Sequence, residues 1–310
     1  MGAPQNWADR QLPVGDDVFL DHVGIFTADL GAAGAQLSRL NFAVSPVNLQ
    51  QNADAEGRLK PSGTSNRLAV LRRGFLEVLA ATHDTPLGDQ LKAALARYAG
   101  LHLIALSHAD IPRQRERLVA LGFAMQKVVN LRRHKQTAEG LRAVRWSVLR
   151  PQPGVMPEGR VQFAYCHTPE LTWPEPPAPL ANAADGLTDI LLCVEDRRAA
   201  ADRFGRFAGR DPHDDGPFTV VPLDRGRLVF AGADIGPAIP NFILPNMPCM
   251  AGQALRCTDL ERLRAVLARA NIRPVADRGS FVCVDPGDAL GSLLLFHDAA
   301  VASPWAAVIA

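Results

Sequence analysis

In FLDHVGIFTADL, residues 19–30, an apolar strand leads directly into a helix start, and this pattern indicates the fold. It also places His22 inside that strand, and the stretch FLEVLA, residues 75–80, places Glu77 inside a second one. A charged or polar group in an apolar strand is costly unless something pairs with it. The simplest prediction is that His22 and Glu77 meet in the folded chain, around a metal ion.

The pattern of the first stretch occurs four times: a short apolar strand, an aspartate, a helix and a turn back. Aspartate suits a helix N-cap, where its side chain accepts an otherwise unpaired amide hydrogen. Further strand-like runs follow each helix, so the repeat is a βαβββ unit. We therefore predict an α+β fold in which four units form two cups of curved antiparallel sheet with helices outside. The four aspartates are Asp29, Asp110, Asp196 and Asp259.

A segment rich in proline and alanine, residues 169–186, separates the four units into two pairs. It predicts a first domain over residues 18–173 and a second over residues 186–298. Two cups in one chain already provide the pairing of units, so we expect a monomer or a homodimer. The alternative is an ordinary α+β protein whose helices are similar by chance.

Composition indicates a globular protein with a sizeable core: 310 residues, of which 47% are hydrophobic and 21% charged. The net charge of +1 does not favour nucleic acid or an anionic membrane as a partner. The N-terminus lacks the basic start and apolar run of a secretory signal. Five scattered cysteines argue against a disulfide framework. These features predict a cytoplasmic protein.

Paired βαβββ units with histidine on the first strand and glutamate on the last resemble the vicinal oxygen chelate superfamily. The resemblance is sharpest to its glyoxalase-like domain family and covers about residues 20–175. It implies a divalent metal ion (Zn, Mn, Fe or Ni) inside the first cup. Five segments carry it: DHVGIF (21–26), GTSNRL (63–68), FLEVLA (75–80), LRAVRWSVL (141–149) and RVQFAYCHTPELTW (160–173).

The resemblance also implies the metal ligands. His22 and Glu77 match the ligand positions of the first unit, and strand alternation puts each on a face that can line the cup. In the second unit Gln162 stands where Glu77 stands in the first, and Leu103 stands where His22 does. His102, next to Leu103, points to the opposite face unless a bulge intervenes. The implied metal set is His22, Glu77 and Gln162.

Other residues are expected to serve the substrate. Glu77 or His167 is expected to move a proton, and His167 is an alternative metal ligand. Thr64 and Asn66 match the family's substrate-contact segment, although a simple turn is the alternative. Trp173 is expected to line the pocket or, alternatively, to pack in the core.

Two features leave further alternatives open. The basic run NLRRHK, residues 130–135, predicts a solvated hairpin but could also attract an anionic substrate. In the second pair of units Asp189 lacks partner ligands, so we expect that half to be structural or to form a wall over the site.

Two functional hypotheses follow. The first is a metal-dependent, glyoxalase-like enzyme that acts on a small oxygen-bearing substrate by lyase, isomerase or dioxygenase chemistry. The alternative is a non-catalytic small-molecule binding protein of the bleomycin-resistance type. Retained His22 and Glu77 favour the enzyme, and the incomplete ligand set favours the binder.

Overall fold

The computed structural model describes residues 11–53, 58–173, 180–240 and 242–309, and within them four βαβββ units follow one another. The predicted α+β fold is confirmed. The first unit contains β1 (Phe19–Phe26), α1 (Leu30–Arg39), β2 (Asn48–Ala53), β3 (Leu59–Val70) and β4 (Phe75–Ala81). After α2 (Pro86–Leu95), the second contains β5 (Gly100–Ser107), α3 (Ile111–Ala120), β6 (Val129–Thr137), β7 (Gly140–Leu149) and β8 (Arg160–Cys166).

The second half repeats this order after the short helix α4 (Pro169–Thr172). Its first unit contains β9 (Ala184–Cys193), α5 (Arg197–Ala208), β10 (His213–Asp215), β11 (Phe218–Pro222) and β12 (Arg227–Ala231). After α6 (Ile235–Ala238), the last unit contains β13 (Cys249–Cys257), α7 (Leu260–Arg269), β14 (Ala276–Arg278), β15 (Phe281–Val284) and β16 (Leu293–His297). Helix α8 (Pro304–Ile309) follows the last strand.

The predicted aspartates cap the first helix of every unit. Asp29 accepts hydrogen bonds from two amides of α1, and each of the other three accepts one from its own helix, namely Asp110 for α3, Asp196 for α5 and Asp259 for α7. Helix α2 was not predicted. It begins after the N-cap Thr85 with Pro86 in its first turn, a residue that suits this position because the amide there is unpaired anyway.

Each unit is a mixed sheet, because its first strand pairs in parallel with its last and the other pairs are antiparallel. Strands β1 and β5 pair antiparallel and join the first two units, as β9 and β13 join the last two. The two halves meet in one sheet where Met250 of β13 pairs with Leu101 of β5. On β1, Val23 and Ile25 pack in the main core with Leu37 of α1, so His22 faces the other way, into the first cup.

The second cup is filled by its own side chains. Trp305 of α8 is buried in an apolar cluster with Leu295 of β16, and a Cβ at Gly252 would lie 2.7 Å from the Trp305 ring. Asp189, on the same inner face, lies 2.6 Å from the guanidinium of Arg227. This arrangement leaves Asp189 in an ion pair within a packed interior.

The predicted linker, residues 169–186, begins in α4 and ends in β9, and its residues 174–179 lie outside the described residues. Residues 1–10 of the N-terminal segment also lie outside them. All five cysteines are buried and unbridged. Among the described helices, none has both the length and the apolar character needed to cross a membrane.

Candidate active site

A cavity of about 210 Å³ opens inside the first cup. Strands β1 to β4 form one wall, and β5 to β8 form the other. Apolar side chains, including Phe75 and Trp146, make up much of the lining. The polar and charged lining residues include His22, Gln50, Ser62, Asn66, Glu77, Arg133, Arg150, Arg160 and Gln162.

His22 lies buried in this cavity and is held from two sides. Its ring stacks on Phe75 with centroids 4.2 Å apart, and the edge of Trp146 lies 6.1 Å away. Its Nδ1 lies 2.6 Å from an Asp21 carboxylate oxygen, and its Nε2 lies 3.9 Å from Oε2 of Glu77. The latter distance is longer than a hydrogen bond. The structure therefore brings His22 and Glu77 together inside the cavity, as predicted.

Asp21, which was not predicted as a site residue, is fully buried. Neighbouring strand residues ordinarily point to opposite faces, but the β1–β5 register shifts between Leu20 and His22. This irregularity lets the side chain of Asp21 meet His22. Arg225, from the second half of the chain, donates to the carbonyl of Leu20 at 3.2 Å. Burial lowers the pKa of Arg225 to about 10, and the nearby charge of Asp21 opposes that fall.

The Glu77 carboxylate is also held on one oxygen. Its Oε1 accepts hydrogen bonds from the side-chain amides of Asn66 and of Gln50, the latter at 3.2 Å. Asn66 in turn accepts one from Asn48 at 3.0 Å. These bonds point Oε2 toward His22. Asn66 thus lines the cavity, where it was expected, and contacts Glu77 directly.

Thr64 is fully buried and is not among the residues that line the cavity. Its hydroxyl donates to Oε1 of Gln50, so it positions the amide that reaches Glu77. The segment GTSNRL, for which a turn was one interpretation, runs inside β3. Gly63 adopts a positive φ of 105° there, and a Cβ at this position would lie 1.7 Å from the hydroxyl oxygen of Thr85.

Trp173 lies one layer behind the cavity wall. Its ring packs against Phe75 and Trp146, with centroids 5.8 Å and 5.9 Å away, and its Nε1 donates to the carbonyl of Gly74. It is not a lining residue. Core packing, the alternative weighed for this residue, describes these contacts.

His167 lies on the outer face of the cup. It is exposed, its Nε2 lies 2.8 Å from the Ser147 hydroxyl, and its ring meets the edge of Tyr165. His167 lies five positions after Gln162, and an odd offset along a strand reverses the face. Partial burial and the charge of Arg145 lower its pKa. The structure does not bring His167 to Glu77, so neither its catalytic nor its metal-binding role has geometric support.

Gln162 faces the cavity, as expected, but its amide oxygen accepts a hydrogen bond from Nε of Arg150 at 2.8 Å. A guanidinium at this oxygen disfavours a cation there. Leu103 also lines the cavity, whereas His102 stacks between Phe26 and Tyr98 away from it. Within the described ranges, no group of three or more His, Cys, Asp or Glu side chains is arranged to hold a metal.

The remaining donors, His22 and Glu77, do fit a divalent ion in their chemistry. Imidazole and carboxylate are ordinary ligands of transition metals. A histidine that binds a metal usually donates its other ring N–H to a carboxylate or carbonyl, which is the contact that Asp21 makes. The set thus supplies two protein ligands rather than three.

Comparison with known proteins agrees with this architecture. The family model described as "Glyoxalase-like domain" matches residues 20–207. A search of curated proteins gave no match. Many solved structures share the fold, and the three examples below do so at low sequence identity, a level at which the likeness shows the fold alone.

The first is a hypothetical protein from Staphylococcus aureus, with TM-score 0.62 and 10% identity over 91% of this chain and 99% of that one. The second is a triple mutant of 4-hydroxymandelate synthase from Streptomyces coelicolor, with TM-score 0.57 and 13% identity over 95% and 96%. The third is the Mn(II)-bound glyoxalase from Novosphingobium aromaticivorans, with TM-score 0.54 and 13% identity over 90% and 81%. Given the family match and the four βαβββ units, the chain belongs to the glyoxalase-like domain family of the vicinal oxygen chelate superfamily.

Proposed function

We propose that the chain is an enzyme that acts on a small oxygen-bearing molecule in the first cup, with His22 and Glu77 as its reactive centre. One observation carries this proposal. Two buried side chains are each fixed at one atom by hydrogen bonds, which leaves Nε2 of His22 and Oε2 of Glu77 3.9 Å apart. Such preorganisation is typical of a reactive centre.

A divalent ion is part of the proposal. His22 and Glu77 would be its protein ligands, and Zn, Mn, Fe and Ni all accept this donor pair. When bound, the ion would act as a Lewis acid that polarises an oxygen of the substrate. The solved glyoxalase that shares the fold is Mn(II)-bound, which supports this part of the proposal without identifying the metal.

The side chains of this chain would orient the substrate and handle its proton. Asp21 holds Nδ1 of His22, so Nε2 is the nitrogen available toward the cavity. A neutral imidazole nitrogen or a carboxylate oxygen in this place can accept a proton from a substrate carbon or hydroxyl group. The apolar rings of Phe75 and Trp146 flank the imidazole and would limit the access of water to it. Proton transfer of this kind serves both isomerase and lyase chemistry.

We propose that the first domain, residues 18–173, carries the chemistry and that the second, residues 186–298, supports it. The filled interior of the second cup, with Trp305 packed over Gly252, favours that division. We further propose that the protein acts in the cytoplasm as a monomer or homodimer.

A second candidate is a non-catalytic binding protein. The observation that favours it is the second wall of the cup, where Leu103 is apolar and the oxygen of Gln162 bonds to Arg150. On this view the cup retains a ligand and performs no chemistry on it.

Metal analysis separates the two candidates. The full-length protein is reconstituted with Mn, Fe, Ni or Zn, desalted and analysed for metal, and a metabolite panel is screened by thermal shift and turnover. We expect wild type to retain one of these ions and His22→Ala to lose both metal and turnover. His134→Ala, which changes an exposed histidine on β6, is the matched control. Wild type that retains no metal and converts no ligand would favour the binding protein.

A further inference from the structure

Three arginines converge on the wall of the first cup that faces Glu77. Arg133 lies on β6, Arg150 directly follows β7, and Arg160 opens β8. Strand alternation puts Arg160 on the same face as Gln162, and the β7–β8 register sets Arg150 opposite Gln162. All three line the cavity. This cluster was not predicted from the sequence, although Arg133 belongs to the basic run at residues 130–135.

Among the described residues, these arginines have no carboxylate partner. Within the described ranges, no aspartate or glutamate lies within ion-pair distance of any of the three, whereas Arg256 pairs with Asp185 and Arg203 with Glu158 elsewhere. Arg150 donates to Gln162 at 2.8 Å, and Arg160 donates to Gln90 at 3.4 Å. These neutral partners do not balance the charge.

The charge of the cavity is therefore positive. Burial lowers the pKa of each of the three guanidinium groups, and the charge of Glu77 opposes that fall. The pKa of Arg160 falls to about 10, partly because of the charge of Arg150, and this value still leaves the group protonated at neutral pH. Among the described residues that line the cavity, Glu77 is the only carboxylate. Unpaired cations in such a place are costly unless an anion joins them.

We propose that Arg133, Arg150 and Arg160 form an anion subsite, and that the ligand of the cup is a small organic acid whose carboxylate or phosphate binds there. The guanidinium fork matches both groups. The assignment of this acid as the substrate rests on the function proposed above, whereas the subsite itself does not.

The other lining residues indicate the chemical character of the rest of the ligand. Apolar side chains of Leu79, Leu103 and Val148 line the same cavity. They suit an apolar body, and the ring of Trp146 suits an aromatic one. The ligand would therefore present its anionic group to the arginines and an oxygen-bearing end to His22 and Glu77.

Calorimetric titration of the full-length, chelator-treated protein tests the subsite without metal or turnover. The probes are phenylacetate, 3-phenylpropanoate and phenyl phosphate, with the neutral amides of the two acids for comparison. We expect at least one anion to bind wild type at least about tenfold more tightly than the amides, the size of one charged hydrogen bond. Tighter binding of phenyl phosphate would assign a phosphate ester, and tighter binding of the acids would assign a carboxylate.

Arg133→Gln and Arg160→Gln should each weaken anion binding about tenfold and leave the binding of the amides unchanged. Arg145→Gln is the matched control, because Arg145 is exposed between two inward-facing residues of β7 and its loss changes the net charge equally. Thermal denaturation of each variant establishes that it folds. The proposal is overturned if anions and amides bind wild type equally, or if Arg145→Gln weakens binding as much as the two cavity variants.

Glu77→Gln distinguishes this proposal from the proposed function. Removal of the carboxylate should tighten anion binding, because it removes the negative charge that opposes the anion, while it should abolish metal retention. If the wild-type protein retains no metal, that result would count against the metal centre but would not affect the evidence for anion binding. Anion binding unchanged or weakened in Glu77→Gln would count against the subsite.

Discussion

The side chains of Asp21 and His22, neighbours in strand β1, meet at 2.6 Å between a carboxylate oxygen and Nδ1. An ideal strand would point them to opposite faces. The shifted register between Leu20 and His22 permits the contact. Bulges of this kind often re-aim a side chain next to an active site. The local distortion thus gives the buried histidine a fixed orientation toward Glu77.

Asp21→Asn should weaken retention of a divalent ion by about 10- to 100-fold, because an amide no longer orients the His22 ring as a carboxylate does. Equilibrium dialysis against a metal buffer measures the change. Asp110→Asn is the control, since asparagine caps a helix as well as aspartate. Equal retention by wild type and Asp21→Asn would show that the contact does not serve the site.

Gln162→Glu should raise affinity for a divalent ion at least about tenfold, because it adds a charged third ligand on the wall opposite Glu77. It should also weaken anion binding, because the new carboxylate would pair with Arg150. Calorimetry with Mn²⁺ and with phenylacetate measures both effects. Gln152→Glu adds the same charge at an exposed position and should change neither. Unchanged affinity for Mn²⁺ in Gln162→Glu would indicate that Gln162 does not face the ion.

His167→Ala should retain metal and turnover, because this side chain contacts Ser147 and Tyr165 on the outer face of the cup. The comparison is with His22→Ala, which should lose both. Metal analysis and the turnover assay are run on both variants after the same reconstitution. Loss of both metal and turnover in His167→Ala would support the catalytic or metal-binding role expected from the sequence.

Stability should fall in acid partly through His102. Its burial lowers its pKa from 6.5 to about 4, so the folded state binds fewer protons than the unfolded state between these values. This contribution is present above about pH 6.5 and is lost as the pH falls toward 4. It amounts to about 2 kcal/mol between pH 7 and pH 5. Urea denaturation at both pH values should show a smaller loss for His102→Phe than for wild type, and an equal loss would contradict this assignment.

Trp305→Ala should lower the free energy of unfolding by about 3–5 kcal/mol, the usual cost of removing a large buried side chain. It should not change metal retention, since Trp305 packs in the second cup. Denaturant titration and metal analysis on one preparation check both points. Altered metal retention in a folded Trp305→Ala protein would show that packing in the second cup affects the metal site in the first, which this structure does not predict.

The sequence predicts the features of this protein that repeat. The aspartate caps and the alternation along β1 and β4 follow local rules, so the fold and the meeting of His22 with Glu77 are foreseeable. Asp21 was missed because its orientation depends on a register shift between two strands. The arginine cluster was missed because its members come from three separate parts of the chain that meet only when the sheet forms. His167 was expected near the site because it follows Gln162 closely in the sequence. Its odd offset from Gln162 puts it on the opposite face of the strand.

Because Arg225 lies in the second half of the chain, the first domain does not contain all of the contacts that support its own site. The guanidinium comes from the second half, bonds to the backbone of Leu20 beside Asp21, and lies over the ring of Phe19 at 4.6 Å. A fragment that contains only the first half would lack these contacts to the strand that carries His22. It would also leave the Asp21 carboxylate buried without the Arg225 cation. The first half of the chain thus forms the pocket and the second half supports it. A fragment or chimaera designed to keep the pocket should therefore include both halves.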